Sequence, residues 1–108
     1  MFDTERIEQL ARELNQSKNT RTPLAQFTQR YPDISLEDGY KISRAWIAIQ
    51  QAEGRSVIGH KIGLTSRAMQ IAMQISEPDY GTLLDDMLYT CTPGQTLDIP
   101  LDRFIAPR

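Results

Sequence analysis

One stretch limits the folding of this chain more than any other: Gly59-His60-Lys61-Ile62-Gly63-Leu64-Thr65-Ser66. Ser56 through Ile62 has the β-branched, apolar character of a strand, and Gly59 inside it marks a bulge or a close backbone approach. Thr65 or Ser66 then stands where a helix N-cap is wanted. A strand running through glycines into a capped helix is where mixed α/β proteins tend to place small-molecule sites. A phosphate-binding loop is excluded. That motif needs Gly, Lys and then Ser or Thr on a loop opening a helix, whereas here His60 intervenes and a strand runs through the middle.

Fifteen residues on comes a second dense patch, Glu77-Pro78-Asp79-Tyr80-Gly81. One patch offers a cation and the other carboxylates, so together they suit acid/base chemistry. Taken singly, Lys61 also reads as an exposed strand lysine whose stem covers apolar surface. Asp79 also reads as a turn residue after Pro78. His60 neighbours Lys61 on the strand and so points to the opposite face. Glu77, Asp85 and Asp86 read as solvated or capping residues. Cys91 has no neighbouring base and reads as an inert thiol.

Composition narrows the classes. The chain has 108 residues, enough for one domain with a modest core. Twelve basic and 14 acidic residues give a net charge of −2, no electrostatic reason to expect nucleic acid as a partner. No apolar run approaches the roughly 20 residues of a membrane span, and the acidic start Asp3-Thr4-Glu5 is unlike a secretory signal. A single cysteine and a single histidine exclude an internal disulfide and the usual zinc sites. They fit a reducing cytoplasm. Any metal would be a hard, oxygen-liking one such as magnesium or manganese.

In chain order, Asp3 or Thr4 caps a first helix with Ile7, Leu10, Ala11 and Leu14 on one face, fading by Ser17-Lys18-Asn19. Pro23 opens a short helical turn through Phe27. Ser35 and Asp38 form a capping box for the longest helix, Leu36 to Glu53. Tyr40, Ala45 or Trp46, Ile47 and Ile49 supply its apolar side, and Gly54 its left-handed stop. A third helix, capped by Thr65 or Ser66, carries Met69, Ala72 and Met73 at helical spacing, and Met69, Met73 and Met87 read as gap-filling core. Asp79-Tyr80-Gly81 reads as a turn, and 83–89 as a turn feeding a strand. Thr92-Pro93-Gly94-Gln95 reads as a hairpin-like turn, and the alternating Leu97, Ile99 and Leu101 as a half-buried strand. A further strand starts at Phe104. The expected fold is α+β, with three helices packed on a small mixed β-sheet. Apolar surface on the first helix and last strand predicts a homo-oligomer.

Several blocks together resemble one family. They are Glu53-Gly54-Arg55, Gly59 through Ser66, Ala68-Met69-Gln70, Ile75 through Gly81, and Leu83-Leu84-Asp85-Asp86-Met87. The resemblance is to the hydratase/decarboxylase family of meta-cleavage pathways, distant relatives of fumarylacetoacetate hydrolase, and it covers nearly the whole chain. It implies that residues 1–108 form the N-terminal domain of a two-domain hydratase. It implies a small-molecule 2-hydroxy-dienoate or 2-oxo-enoate acid as substrate and magnesium (or manganese) as cofactor. Lys61 and Asp79 match the family's candidate proton-transfer groups, and Leu64, Thr65, Ser66 and Leu84 match positions shaping the pocket. The family's metal carboxylates fall beyond Arg108, so no metal ligand is assigned in this chain, and the chain alone is expected to be inactive. Decarboxylation of an oxalocrotonate-type acid, or a non-catalytic assembly domain that binds a full-length partner, remains as an alternative expectation.

Overall fold

A computed structural model describes residues 2–104 of the chain. They divide into two units, one taking in residues 2–54 and 91–104, the other Arg55–Thr90.

The first unit is built on two 17-residue helices, α1 (Thr4–Thr20) and α3 (Leu36–Ala52), with a single helical turn α2 (Phe27–Arg30) between them in sequence. Asp3 caps α1 by accepting the Arg6 N–H at 2.8 Å. Ile7, Leu10 and Ala11 lie buried on the expected stripe, joined by Ile42 of α3. Phe2, Leu14, Phe27, Tyr31, Ala45, Trp46 and Ile49 pack around that nucleus. Ile42 at its centre was not among the expected apolar positions of α3. The α3 side facing α1 runs through Asp38, Ile42, Ala45, Trp46 and Ile49, the 3.6-residue stripe of a packed helix.

The capping box at Ser35 and Asp38 is formed in both directions, at 3.0 and 3.2 Å. Gly54 follows the helix with φ 102°, the left-handed stop that its sequence position called for.

Helix α1 continues past the point where helix formers run out. Lys18 Nζ donates to Gln50 Oε1 of α3 at 2.7 Å, Asn15 Nδ2 donates to the Glu53 carboxylate, and Ser17 Oγ donates to the Thr22 carbonyl. These contacts override weak propensity over 17–20. The turn expected from Pro23 forms instead at Phe27, one residue after Gln26.

The second unit carries the sheet. Strand β1 (Val57–Gly63) pairs antiparallel with β2 (Asp79–Leu84), and the six-residue helix α4 (Arg67–Ala72) lies between them in sequence. The bulge expected at Gly59 is present as a register shift between Val57 and Gly59.

The α+β class holds, with corrections. Among the described residues the sheet is a two-stranded antiparallel ribbon rather than a mixed one. Asp79-Tyr80-Gly81 is not a turn but the first half of β2, and 85–87 form a 3-10 turn instead of leading into a strand. Thr92-Pro93-Gly94-Gln95 does turn, with Gly94 at φ 84° and Gln95 N–H on the Thr92 carbonyl, but no hairpin surrounds it. Leu97, Ile99 and Leu101 do not form a strand and stay exposed. Alternation predicts a strand only where a partner's backbone takes up the ladder bonds. The final run lies outside the described residues from Ile105 onward. No helix among the described residues is long and apolar enough to cross a membrane.

Candidate active site

The pairing register explains how Lys61 and Asp79 meet. Lys61 stands opposite Gly81, and Gly63 stands opposite Asp79. Because side chains alternate across a ribbon, all four positions share one face. Two glycines on one diagonal clear that face for two charged side chains on the other. The Lys61 stem crosses Gly81, where an added β-carbon would lie 3.4 Å from Lys61 Cγ and 3.7 Å from Cδ.

The Asp79 carboxylate and the Lys61 ammonium converge over Gly63. The place where a β-carbon on Gly63 would sit is 2.5 Å from Asp79 Oδ1 and 3.7 Å from Lys61 Nζ. Asp79 Oδ1 is buried and accepts no hydrogen bond within the protein. A carboxylate oxygen removed from water without a donor is costly to keep. Such atoms in native structures call for a reason, and a site for a proton-bearing ligand is one of the standard ones. Lys61 is itself exposed and Asp79 half-buried, so a cation and a carboxylate share one point reachable from solvent.

Downstream of Gly63 the chain turns sharply. Leu64 has φ 53°, the left-handed region that non-glycine residues rarely occupy. Thr65 is exposed, and Ser66 is the N-cap of α4, its Oγ accepting the Met69 N–H at 3.2 Å. These three residues directly follow the Lys61–Gly63 segment. Leu84 is placed differently. It is fully buried, pairs with Val57 at the far end of the ribbon, and lies an odd number of residues from Asp79, on the other face. The structure does not bring it to the point shared by Lys61 and Asp79.

The far end is braced by polar groups that the sequence presented as solvated. Ser56 N–H donates to Asp85 Oδ1 at 3.1 Å, Asp85 N–H returns to the Ser56 carbonyl at 2.9 Å, and Arg55 Nε meets Asp86 Oδ2 at 2.8 Å. Met69, Met73 and Met87 are not core: they are 50%, 58% and 47% exposed, and Gln70 is the buried residue of α4. A two-stranded ribbon with one short helix is too small to cover both apolar faces. His60 stands across from Thr82, on the face away from Lys61.

The signal that could have located the site in sequence was the pair Gly63 and Gly81. Each reads alone as a turn glycine, and only the register makes them the floor under Lys61 and Asp79. Among the described residues no group of three His, Cys, Asp or Glu side chains is arranged to hold a metal ion. The donors here do not fit magnesium by themselves.

No family model matches the chain. Over all 108 residues it is 48% identical to a 2-oxo-hept-4-ene-1,7-dioate hydratase of Escherichia coli, covering 100% of this chain and 39% of that protein. Over 107 residues it is 39% identical to a 2-hydroxypent-2,4-dienoate hydratase of Pseudomonas putida, 99% of this chain and 47% of that protein. In structure it is similar to a 4-oxalocrotonate decarboxylase from Pseudomonas putida G7 complexed with magnesium and adipate. The TM-score is 0.75 at 26% identity, over 80% of this chain and 33% of that one. The same decarboxylase has also been solved with calcium and acetate. The chain spans about two fifths of the length of the curated relatives it matches. The resemblance to hydratases and decarboxylases thus stands on both sequence and fold.

Proposed function

We propose that this chain, related over its whole length to hydratases of unsaturated 2-oxo acids, carries the proton-transfer half of such an enzyme. In this reading it belongs to a 2-oxohept-4-ene-1,7-dioate hydratase of homoprotocatechuate and related aromatic catabolism. The observation that carries the proposal is the convergence of Lys61 Nζ and Asp79 Oδ1 over Gly63. The higher identity to hydratases than to the structurally similar decarboxylase supports addition of water over loss of carbon dioxide.

In this reading a 2-hydroxy-dienoate lies on the glycine floor of the ribbon. Asp79, whose Oδ1 lacks an internal donor, accepts the proton of the 2-hydroxyl group. The neighbouring Lys61 ammonium steadies the negative charge that develops on the substrate and returns a proton to its carbon skeleton. The turn at Leu64, Thr65 and Ser66 borders the substrate, and the buried Leu84 supports the ribbon from the opposite face. In this reading the whole protein uses magnesium or manganese, for which no group of ligands is arranged among the described residues; the ion would supply Lewis-acid polarisation of the 2-oxo acid. The whole protein works in the cytoplasm as a homo-oligomer.

The ultraviolet decay of a freshly prepared 2-hydroxy-dienoate diacid tests this on the chain and on its Lys61→Ala and Asp79→Asn variants. The expected result is faster ketonisation without magnesium, no addition of water, and loss of the acceleration by at least about 100-fold in each variant. A parent chain no faster than Lys61→Ala would remove the pair from proton transfer.

A further inference from the structure

Helix α4 buries a glutamine and exposes its large apolar side chains. Gln70 is 8% exposed, whereas Met69 and Ile71 are 50% and 64% exposed. That inverts the usual order, in which glutamine stays outside unless it has a hydrogen-bonding task. Here the task is visible. Gln70 Nε2 donates to the Leu64 carbonyl at 2.9 Å. The Gln70 backbone is held as well: its N–H donates to the Ser66 carbonyl at 3.1 Å and its carbonyl accepts the Ile75 N–H at 2.9 Å.

Leu64 needs such an anchor because its φ of 53° is disfavoured for a side chain of its size. The consequence reaches the next residue. The Leu64 carbonyl and the Thr65 N–H belong to one planar trans peptide and point in opposite directions. With the carbonyl drawn onto Gln70, the Thr65 N–H is directed away from α4. Thr65 is exposed and lies two residues beyond Gly63, the floor of the Lys61–Asp79 pair.

We propose that Gln70 is a positioning residue for this site: by holding the Leu64 carbonyl it presents the Thr65 N–H as a donor to the carboxylate of a 2-oxo acid. The proposal rests on the function proposed above. It assigns the carboxylate end of the ligand to the turn and the reacting end to Lys61 and Asp79.

Pyruvate, the smallest 2-oxo acid, is the probe, titrated onto isotope-labelled chain and followed by NMR. Two variants are compared with the parent: Gln70→Leu, which keeps bulk and loses the donor, and Gln70→Glu, which donates only when protonated. In the parent, pyruvate should shift the Thr65 amide and the Lys61 side chain. In Gln70→Leu the Leu64 carbonyl resonance should move, the His60 and Ile62 amides should stay in place, and pyruvate should bind about tenfold more weakly, the scale of one hydrogen bond to an ion. Gln70→Glu should match Gln70→Leu at pH 7 and regain affinity relative to the parent as its carboxyl protonates near pH 4. Pyruvate binding equally well to the parent and both variants overturns the positioning role and leaves the function standing. Pyruvate that perturbs neither Thr65 nor Lys61 in the parent overturns both together.

Discussion

Asp79 Oδ1 occupies the space where residue 63 would carry its β-carbon, 2.5 Å from that position, so the carboxylate and Gly63 fit only because Gly63 has no side chain. A β-carbon that close to a buried oxygen forces one of them to move.

The first prediction follows from that fit. Gly63→Ala should displace the Asp79 carboxylate by about 1 Å, which for a reacting group costs on the order of 100-fold in rate. The ketonisation assay reads the loss. Far-UV circular dichroism should show the helices intact, because α1 and α3 lie in the other unit. An alanine variant as fast as the parent would show that the carboxylate does not act from this position.

A second prediction concerns the start of the chain. Asp38 is fully buried and its carboxylate accepts two backbone hydrogen bonds: Phe2 N–H on Oδ1 at 3.1 Å and Ser35 N–H on Oδ2 at 3.2 Å. The Phe2 bond first, with Ser35 adding to it, holds the Asp38 carboxyl below its ordinary value of 3.8 despite burial, which acts the other way. A depressed carboxyl stabilises the fold fully above its unfolded value. That contribution is lost as pH falls through the folded value. Thermal melts from pH 7 to pH 2 should therefore fall more steeply for the parent than for Asp38→Asn at the acid end. At pH 7 the variant should already melt lower.

The seam between α1 and α3 gives a third. Trp46 Nε1 donates to Asn15 Oδ1 at 3.2 Å, and Asn15 in turn donates to Glu53. Asn15→Ala should cost about 1–3 kcal/mol, because it strands the indole N–H in a half-buried position. Trp46→Phe removes that donor, so the double variant should lose less than the sum of the two singles. Urea unfolding of the four proteins closes the cycle.

Finally, Leu10 has no exposed surface and lies at the centre of a small nucleus with Ile7, Ala11 and Ile42. Leu10→Ala should cost about 2–5 kcal/mol through lost burial and an unfilled cavity. Leu101→Ala, at a residue 74% exposed, should stay within about 0.5 kcal/mol of the parent in the same denaturant titration.

What the sequence determined by itself was local. Asp3, Ser35 and Ser66 are caps because an oxygen on a short side chain reaches the free N–H groups of the next turn. Gly54 ends α3 because the left-handed conformation is cheapest without a β-carbon. The stripe of Ile7, Leu10 and Ala11 was readable because helical periodicity sets one face whatever packs on it. Lys61 and Asp79 were readable as candidates because a cation and a carboxylate stand in dense, glycine-bounded patches.

Tertiary structure decided everything that depends on a partner distant in sequence. Asp79-Tyr80-Gly81 became a strand because β1 lay ready to pair with it. Leu97 to Leu101, with better alternation, formed none among the described residues because ladder bonds need a second chain segment. Met69 yielded its buried place to Gln70 because an anchored Leu64 carbonyl was there to receive the amide. Register, in turn, placed Gly63 beneath Asp79 and Gly81 beneath Lys61. Pairing is a property of two segments at once, so neither segment states it alone.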